Sequence, residues 1–499
     1  MAFIINRGKK KGIFYIPSGG TVAPPPAPSF SSTKSLDFDG IDDYVNVGNI
    51  PSLNNASAFS ISAWVKFGNI AIHPDNRWFG IIEGTATTQW ISGQLNSNGD
   101  IYFVMANGTL SYGGFEAIVS GKIVSDTYYH LVMVFDGSQT GNANKMQIYL
   151  NSVSETLTFG GTIPTTSFNF TDNASIGWDG YGSIEMLGNV DEVSIFNTAL
   201  TQLEVTSIYN DGVPTNLSLL ATPPTNWYRM GENSTFSSPQ ILMPENTNKD
   251  KFSNYSLDFD GVTSYIDTSD ATLVNGYTDV TFSGWINVSS LAANFDGILC
   301  SRSGSDYILI HIGNIVGSTY TLYIQQQNGG GGTYTITYTL SLNFDSWYHF
   351  AIMGSVGGKW DMYINGSNSA QVQGSNTIGG ITQALSFKIG KDTTGRELVG
   401  KIDEVSIFNE VKAIGDLWDG TGQPTDLTGQ SGLVSWWRMG EEATFDAIPT
   451  EWTIPDQAGS NDGTSANMDI YTRIGDAPDS PNNALSYNMD AADIVEDTP

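Results

Sequence analysis

The sequence predicts an all-β protein: two tandem antiparallel β-sandwich domains, with an N-terminal arm before them and an acidic C-terminal tail after them. Three observations predict this. The chain repeats itself. Ser35-Leu36-Asp37-Phe38-Asp39-Gly40 returns 221 residues later as Ser256-Leu257-Asp258-Phe259-Asp260-Gly261. Trp64 returns as Trp285, Tyr129-His130 as Tyr348-His349, and Asp191–Asn197 unchanged as Asp403–Asn409. Repeats of about 200 residues are whole domains, too long for solenoid units. Apolar residues alternate with polar ones at period two, as in Phe59, Ile61, Ala63, Val65 and Phe67 and again in Val280, Phe282, Gly284, Ile286 and Val288. That period marks strands with one face in a core. Turn pairs punctuate the strands (Asp39-Gly40, Asp136-Gly137, Asp211-Gly212, Asn365-Gly366), and long amphipathic helices are absent.

In chain order, residues 1–33 read as an arm: a short basic-apolar piece followed by Pro24-Pro25-Pro26-Ala27-Pro28, a stiff extended spacer. Arg7, Lys9, Lys10 and Lys11 are its anchoring candidates, facing an acidic partner; the alternative is a loose terminus. The first sandwich is expected over 34–237, a linker over 238–252, the second sandwich over 253–447, and the tail over 448–499. Short helices are expected at Thr201–Tyr209 and near Lys412–Trp418. The tail does not form a third copy; Ile470–Ile474 and Ala484–Met489 could each add an edge strand or dock on a neighbour, and the pattern leaves open whether the tail packs.

Composition excludes several function classes. Lys and Arg number 21 against 51 Asp and Glu, giving a net charge of −30. Residues 1–34 hold five of the basic residues and no acidic one, so the globular part is still more acidic. Such a surface repels phosphate backbones, so no nucleic-acid partner is expected. No stretch approaches the roughly 18 apolar residues of a membrane span, so no membrane partner is expected either. Cys300 is the only cysteine, which rules out an intrachain disulfide. Together with an N-terminus lacking the pattern of an export signal, this suggests synthesis in a cytoplasm without processing.

The repeated blocks carry a resemblance. Each copy opens on Ser-Leu-Asp-Phe-Asp-Gly and then Tyr44-Val45 or Tyr265-Ile266. Ala-Trp-Val or Gly-Trp-Ile follows, then Tyr-His-Leu or Tyr-His-Phe. Each copy closes on Asp-Glu-Val-Ser-Ile-Phe-Asn. This set resembles the concanavalin A-like lectin/glucanase superfamily in its laminin-G-like branch, over about residues 35–236 and 256–445. The resemblance implies jelly-roll sandwiches. The tandem arrangement and the tail also resemble laminin-G-like structural proteins of marine bacteriophages. The expected role is then a non-enzymatic virion component (fibre, appendage or capsid decoration), exposed on the particle surface. The arm would bind other virion proteins, the sandwiches would bind cell-surface or environmental polysaccharide, and homo-oligomerisation is expected. The alternatives are a purely structural decoration protein, a bacterial surface adhesin and, last, a glycan hydrolase.

A hydrolase of this superfamily carries alternating carboxylates on one strand, about 5 Å apart. No Glu has that spacing here. Asp191-Glu192 and Asp403-Glu404 are adjacent, so on a regular strand their side chains take opposite faces. They read as structural, and no catalytic residue is expected. His130 and His349 read as packed structural histidines. Trp64 and Trp285 lie opposite the apolar stripe of their strands. They either stack on a sugar ring or sit in a second small core under a crossing loop. Trp78, Trp90, Trp178 and Tyr181 are further sugar platforms in the first copy. Ca2+ is the one cofactor the sequence leaves open: Asp39, Asp42 and Asp43 share a loop, whose counterpart keeps only Asp260. A solvated Asp-Gly turn is the alternative there.

Overall fold

A computed structural model describes residues 30–499 except 72, 74, 85–88, 109–114, 181, 183, 292–294, 328–333, 339–340, 369–370, 374–376, 384 and 394. The apolar stripes do what their period demands. Phe59, Ile61, Ala63, Val65 and Phe67 are fully buried in one core, and Val280, Phe282, Ile286 and Val288 in a second. Each core lies between two antiparallel sheets. In the first sandwich the smaller sheet centres on Ala58–Phe67, between Tyr128–Asp136 and Leu187–Phe196. The larger runs from Thr158–Gly161 through Asp75–Ile82 and Tyr44–Gly48 to Thr235–Ser237. The second sandwich repeats this around Asp279–Leu291 and from Gln371–Gln373 to Thr444–Ala447. Gly177 and Gly390 occupy matching positions at φ +83° and +82°. A Cβ there would stand 2.4 and 2.2 Å from the rings of Phe38 and Phe259, so both turns require glycine.

The C-terminal segment packs, which the sequence left open. Residues 448–499 are strand and turn in both sandwiches. Gly463–Ala466 and Arg473–Ile474 pair with Tyr265–Asp267 and Ser256–Asp260, completing the second sandwich. Ala484–Tyr487 and Ile494–Val495 pair with Tyr44–Gly48 and Ser35–Asp39, completing the first. The registers correspond: Ser256 opposes Ile474 as Ser35 opposes Val495, and Tyr265 opposes Ala466 as Tyr44 opposes Tyr487. A third repetition underlies this. Asn467-Met468-Asp469 returns as Asn488-Met489-Asp490. Both asparagines have left-handed φ, and both aspartates accept a backbone N–H two residues on. The second sandwich is therefore inserted in the first, between Gln240–Met243 and Ala484–Tyr487, which are neighbours in one sheet.

The outer face of each smaller sheet carries a second, smaller core, made in the first copy by Val132, Val134, Tyr149, Phe196 and Trp227 under Val205 and Ile208. The helix covering it, Gln202–Tyr209, starts on a capping box between Thr201 and Glu204. In the second copy a single turn, Ile414–Asp416, stands in its place beside Leu417.

Candidate functional site

The two Asp-Glu pairs depart from the strand parity expected of them. Pairing skips a step between Asp191 and Ser194, a bulge in which Glu192 takes φ +51°; Glu404 does the same at +52°. The bulge gathers Asp191, Glu192 and Glu232 so that carboxylate oxygens lie within 4.8 Å of one another, and likewise Asp403, Glu404 and Glu441. In the second copy Glu404 accepts from Trp436 Nε1 (2.6 Å) and Arg438 Nε (3.0 Å), and Asp403 from Ser253 Oγ (2.8 Å). Glu441 accepts the backbone N–H of Asn254 (2.6 Å) and Tyr255 (3.2 Å). Burial raises the aspartates well above the usual carboxylate range. It pushes Glu192 and Glu404 up to about 7 against the pull of Arg229 and Arg438. The cavity touching Glu192 holds about 10 Å³, at most a single water and no sugar. Each triad clasps the segment leading into its sandwich.

The predicted sugar platforms are mostly interior. Trp64 is 5% and Trp285 4% exposed, which removes the stacking reading. Trp64 packs on His130 and Tyr209 (ring centroids 5.0 and 5.7 Å), and Trp285 on His349 and Trp418 (5.3 and 5.4 Å). The covering elements make the second small core. His130 and His349 accept or donate to Ser62 and Ser283 at 2.9 Å, and burial holds both near 3, so they are neutral. Trp78 and Trp90 are buried too. Trp90 Nε1 (3.2 Å) and Ser92 Oγ (2.8 Å) donate to Asp179, which pairs with Arg77 in the interior. Trp178 is half-buried against Tyr44 and donates to the Gly182 carbonyl (2.9 Å). Tyr181 and the anchoring candidates Arg7, Lys9, Lys10 and Lys11 lie outside the described residues.

Asp39, Asp42 and Asp43 do come together within 4.8 Å. Two of them already serve the turn: Asp39 accepts from Ile41 N (2.7 Å), and buried Asp43 accepts from Asp39 N (2.9 Å). Burial raises Asp43 to about 7. In the second copy Ser264 Oγ replaces Asp43 as the acceptor from Asp260 N (2.8 Å), so the turn needs an oxygen there and no charge. The acidic groups are compatible with Ca2+.

A different surface is open. On the outer face of the larger sheet in the second sandwich, His311 and Tyr323 stand on paired strands and stack at 5.3 Å, 7° from parallel. Phe295 meets both edge-on at 5.2 and 6.0 Å. Phe295 is 38% exposed and sits at φ +74°, a strained conformation for a bulky residue, with Gly313 leaving room for its ring. Beside it Asp392 binds two arginines: Arg302 through Nε (2.6 Å) and Nη2 (2.9 Å), and Arg396 through Nη1 (3.2 Å). Arg302 lies over Tyr307 (4.7 Å), Arg396 over Phe295 (5.7 Å), and Lys391 and Lys388 over Tyr265 (4.6 and 5.1 Å). Lys391 pairs with Glu397 and Lys388 with Asp267. Burial lowers His311 to about 4, so it too is neutral, and its ring nitrogens meet at most the Gln325 amide. The chemistry available here is stacking and charged hydrogen bonding. The one carboxylate at its centre is occupied by the two guanidinium groups.

Sequence reasoning missed this surface because it sought loop platforms among the tryptophans and Tyr181 of the first copy. The signal was present in the alternation of Tyr307, Leu309 and His311 with core Ile308, Ile310 and Ile312.

A family model described as "Concanavalin A-like lectin/glucanases superfamily" (Laminin_G_3) matches residues 39–206 and 260–413. No curated protein matches the sequence. Similar solved structures include domains LG4-5 of the mouse laminin alpha1 chain, at 10% identity over 79% of this chain and 93% of that one, with TM-score 0.26. The heptameric SAP-like pentraxin of Limulus polyphemus is 13% identical over 36% and 91%, with TM-score 0.29. The Ruminococcus gnavus IT-sialidase CBM40 bound to alpha2,3 sialyllactose is 13% identical over 34% and 96%, with TM-score 0.28. Membership rests on the family model, which spans both repeats.

Proposed function

The chain belongs to the concanavalin A-like lectin/glucanase superfamily, and from that premise we propose that it is a non-catalytic glycan-binding protein. The observation that carries this reading is the open surface around Phe295. It offers the partly exposed ring of Phe295 next to fixed hydrogen-bond donors, a pairing suited to the apolar face and the hydroxyls of a sugar. The two Asp-Glu pairs lie elsewhere, buried beneath the lead-in segments. The test is a glycan array with the purified full chain, followed by titration and an assay of reducing-sugar release. Binding without release is expected. Release that survives purification and is lost in Asp403→Asn would overturn the non-catalytic reading.

We extend the proposal to a virion setting. The basic, proline-rich residues 1–33 would attach the protein to other particle proteins, and copies on one particle would add weak contacts by effective concentration. Mass spectrometry of purified virions tests this against a surface adhesin, which would be found in cell-envelope fractions instead.

A further inference from the structure

We propose that the outer face of the second sandwich selects an anionic sugar residue, its acidic group held by Arg302 and Arg396 and its ring laid on Phe295. This rests on the glycan-binding reading and names the class of sugar. The chain carries a net charge of −30, yet here four cations, Arg302, Arg396, Lys388 and Lys391, gather around Asp392, Glu397 and Asp267. Both arginines are partly exposed, at 24% and 39%, while the Asp392 side chain is 1% exposed. Asp392 therefore acts as a buried splint. It fixes two guanidinium planes from behind, and Arg302 Nη1 and Arg396 Nη2 make no hydrogen bond among the described residues. Free donors on a prefixed guanidinium match the paired oxygens of a carboxylate or a sulfate ester, and little rotamer freedom is left to lose on binding. The aromatic rings under the cations hold them in place without neutralising them.

The first sandwich lacks the device. The aspartate is kept as Asp179, but its arginine is Arg77, 4% exposed and approaching from the opposite end of the strand. The positions of Lys391 and Arg396 hold Trp178 and Ile184. Selection for negative charge is then a property of one half of the molecule.

The test is isothermal titration of the full chain with three oligosaccharides of equal length: carboxylated oligogalacturonate, sulfated carrageenan oligosaccharide and neutral laminarin oligosaccharide. At least one anionic probe is expected to bind, more weakly as salt rises. Arg396→Gln, at an exposed position, is expected to weaken that binding about tenfold with an unchanged melting temperature, and Trp178→Ala to leave it unchanged. The two anionic arms tell a carboxylate from a sulfate. Binding of the neutral probe alone, or anionic binding indifferent to Arg396→Gln, overturns the selection of an anionic sugar and leaves the glycan reading standing. Failure of all three probes together with a blank glycan array overturns both.

Discussion

Arg473 donates from Nη2 to the backbone carbonyl of Ser237 at 2.6 Å, and the two residues belong to different sandwiches. Nε reaches Gln240 Oε1 at 3.0 Å, and the guanidinium lies 4.8 and 4.7 Å from the rings of Tyr255 and Trp452. The side chain is wholly buried, and among the described residues no carboxylate is within ion-pairing distance. Hydrogen bonds and ring faces stabilise the charge in place of a counter-ion. Arg473→Lys keeps the charge and loses the planar fork. It is expected to cost about 2 kcal/mol, read as a lower denaturant midpoint, because donors to Ser237 and Gln240 disappear inside the junction.

Removing residues 484–499 is expected to open the first sandwich and spare the second. The deletion takes two strands from the first sandwich, exposing the edges of Tyr44–Gly48 and Ser35–Asp39, and none from the second. Limited proteolysis with mass spectrometry should find cleavage within 35–245 and a resistant core beginning near residue 250. Protection of both halves would contradict the inserted arrangement.

The buried triads give stability a pH slope. A carboxyl whose folded pKa is raised stabilises fully below its unfolded value, and that contribution is lost as pH rises through the folded one. For Glu192 and Glu404 this window runs from about 4.5 to about 7. His130 and His349, held near 3, act in the opposite sense: their contribution is lost as pH falls from 6.5 towards 3. At pH 6.5 the unfolded histidines are still half protonated and their opposing slope fades only over about the next unit, so from pH 6.5 to 8 the carboxyl slope prevails and stability should decline. Glu404→Gln should flatten the decline, as measured by urea midpoints at the two pH values.

Trp285→Ala should cost about 3–5 kcal/mol, the range for emptying a large buried aromatic site. The indole fills the space between His349 and Trp418. Glycan affinity of the folded fraction should be unchanged. A loss of affinity without loss of stability would restore the stacking role that burial excludes.

The repeated strands were legible because alternation of apolar residues in Phe59–Phe67 and Val280–Val288 leaves one arrangement that buries a stripe. The same parity placed Trp64 and Trp285 off the main core, and the sequence left open what covers them. The closing strands were legible only as two candidates, Ile470–Ile474 and Ala484–Met489, without partners. They are two to four residues long, rich in acidic turns, and pair with segments hundreds of positions away. Parity also failed at Asp191-Glu192, since a bulge that sets a glutamate at positive φ leaves no mark in the pattern. The surface around Phe295 was hidden for a different reason. It exists in one copy only, and its parts, Phe295, Arg302, His311, Tyr323 and Asp392, meet through sheet pairing and a loop rather than through proximity in the chain.

The insertion has a mechanical consequence. Ser35 and Val495 are antiparallel partners, so both ends of the described chain leave from one spot on the first sandwich. Tension applied between them peels that pair apart one rung at a time, and the second sandwich, looped between residues of the first, carries none of the load until its host has opened. A molecule tethered at that spot and gripping a polymer through Arg302 and Phe295 would pull on its binding half along another route altogether, through the junction that Arg473 pins.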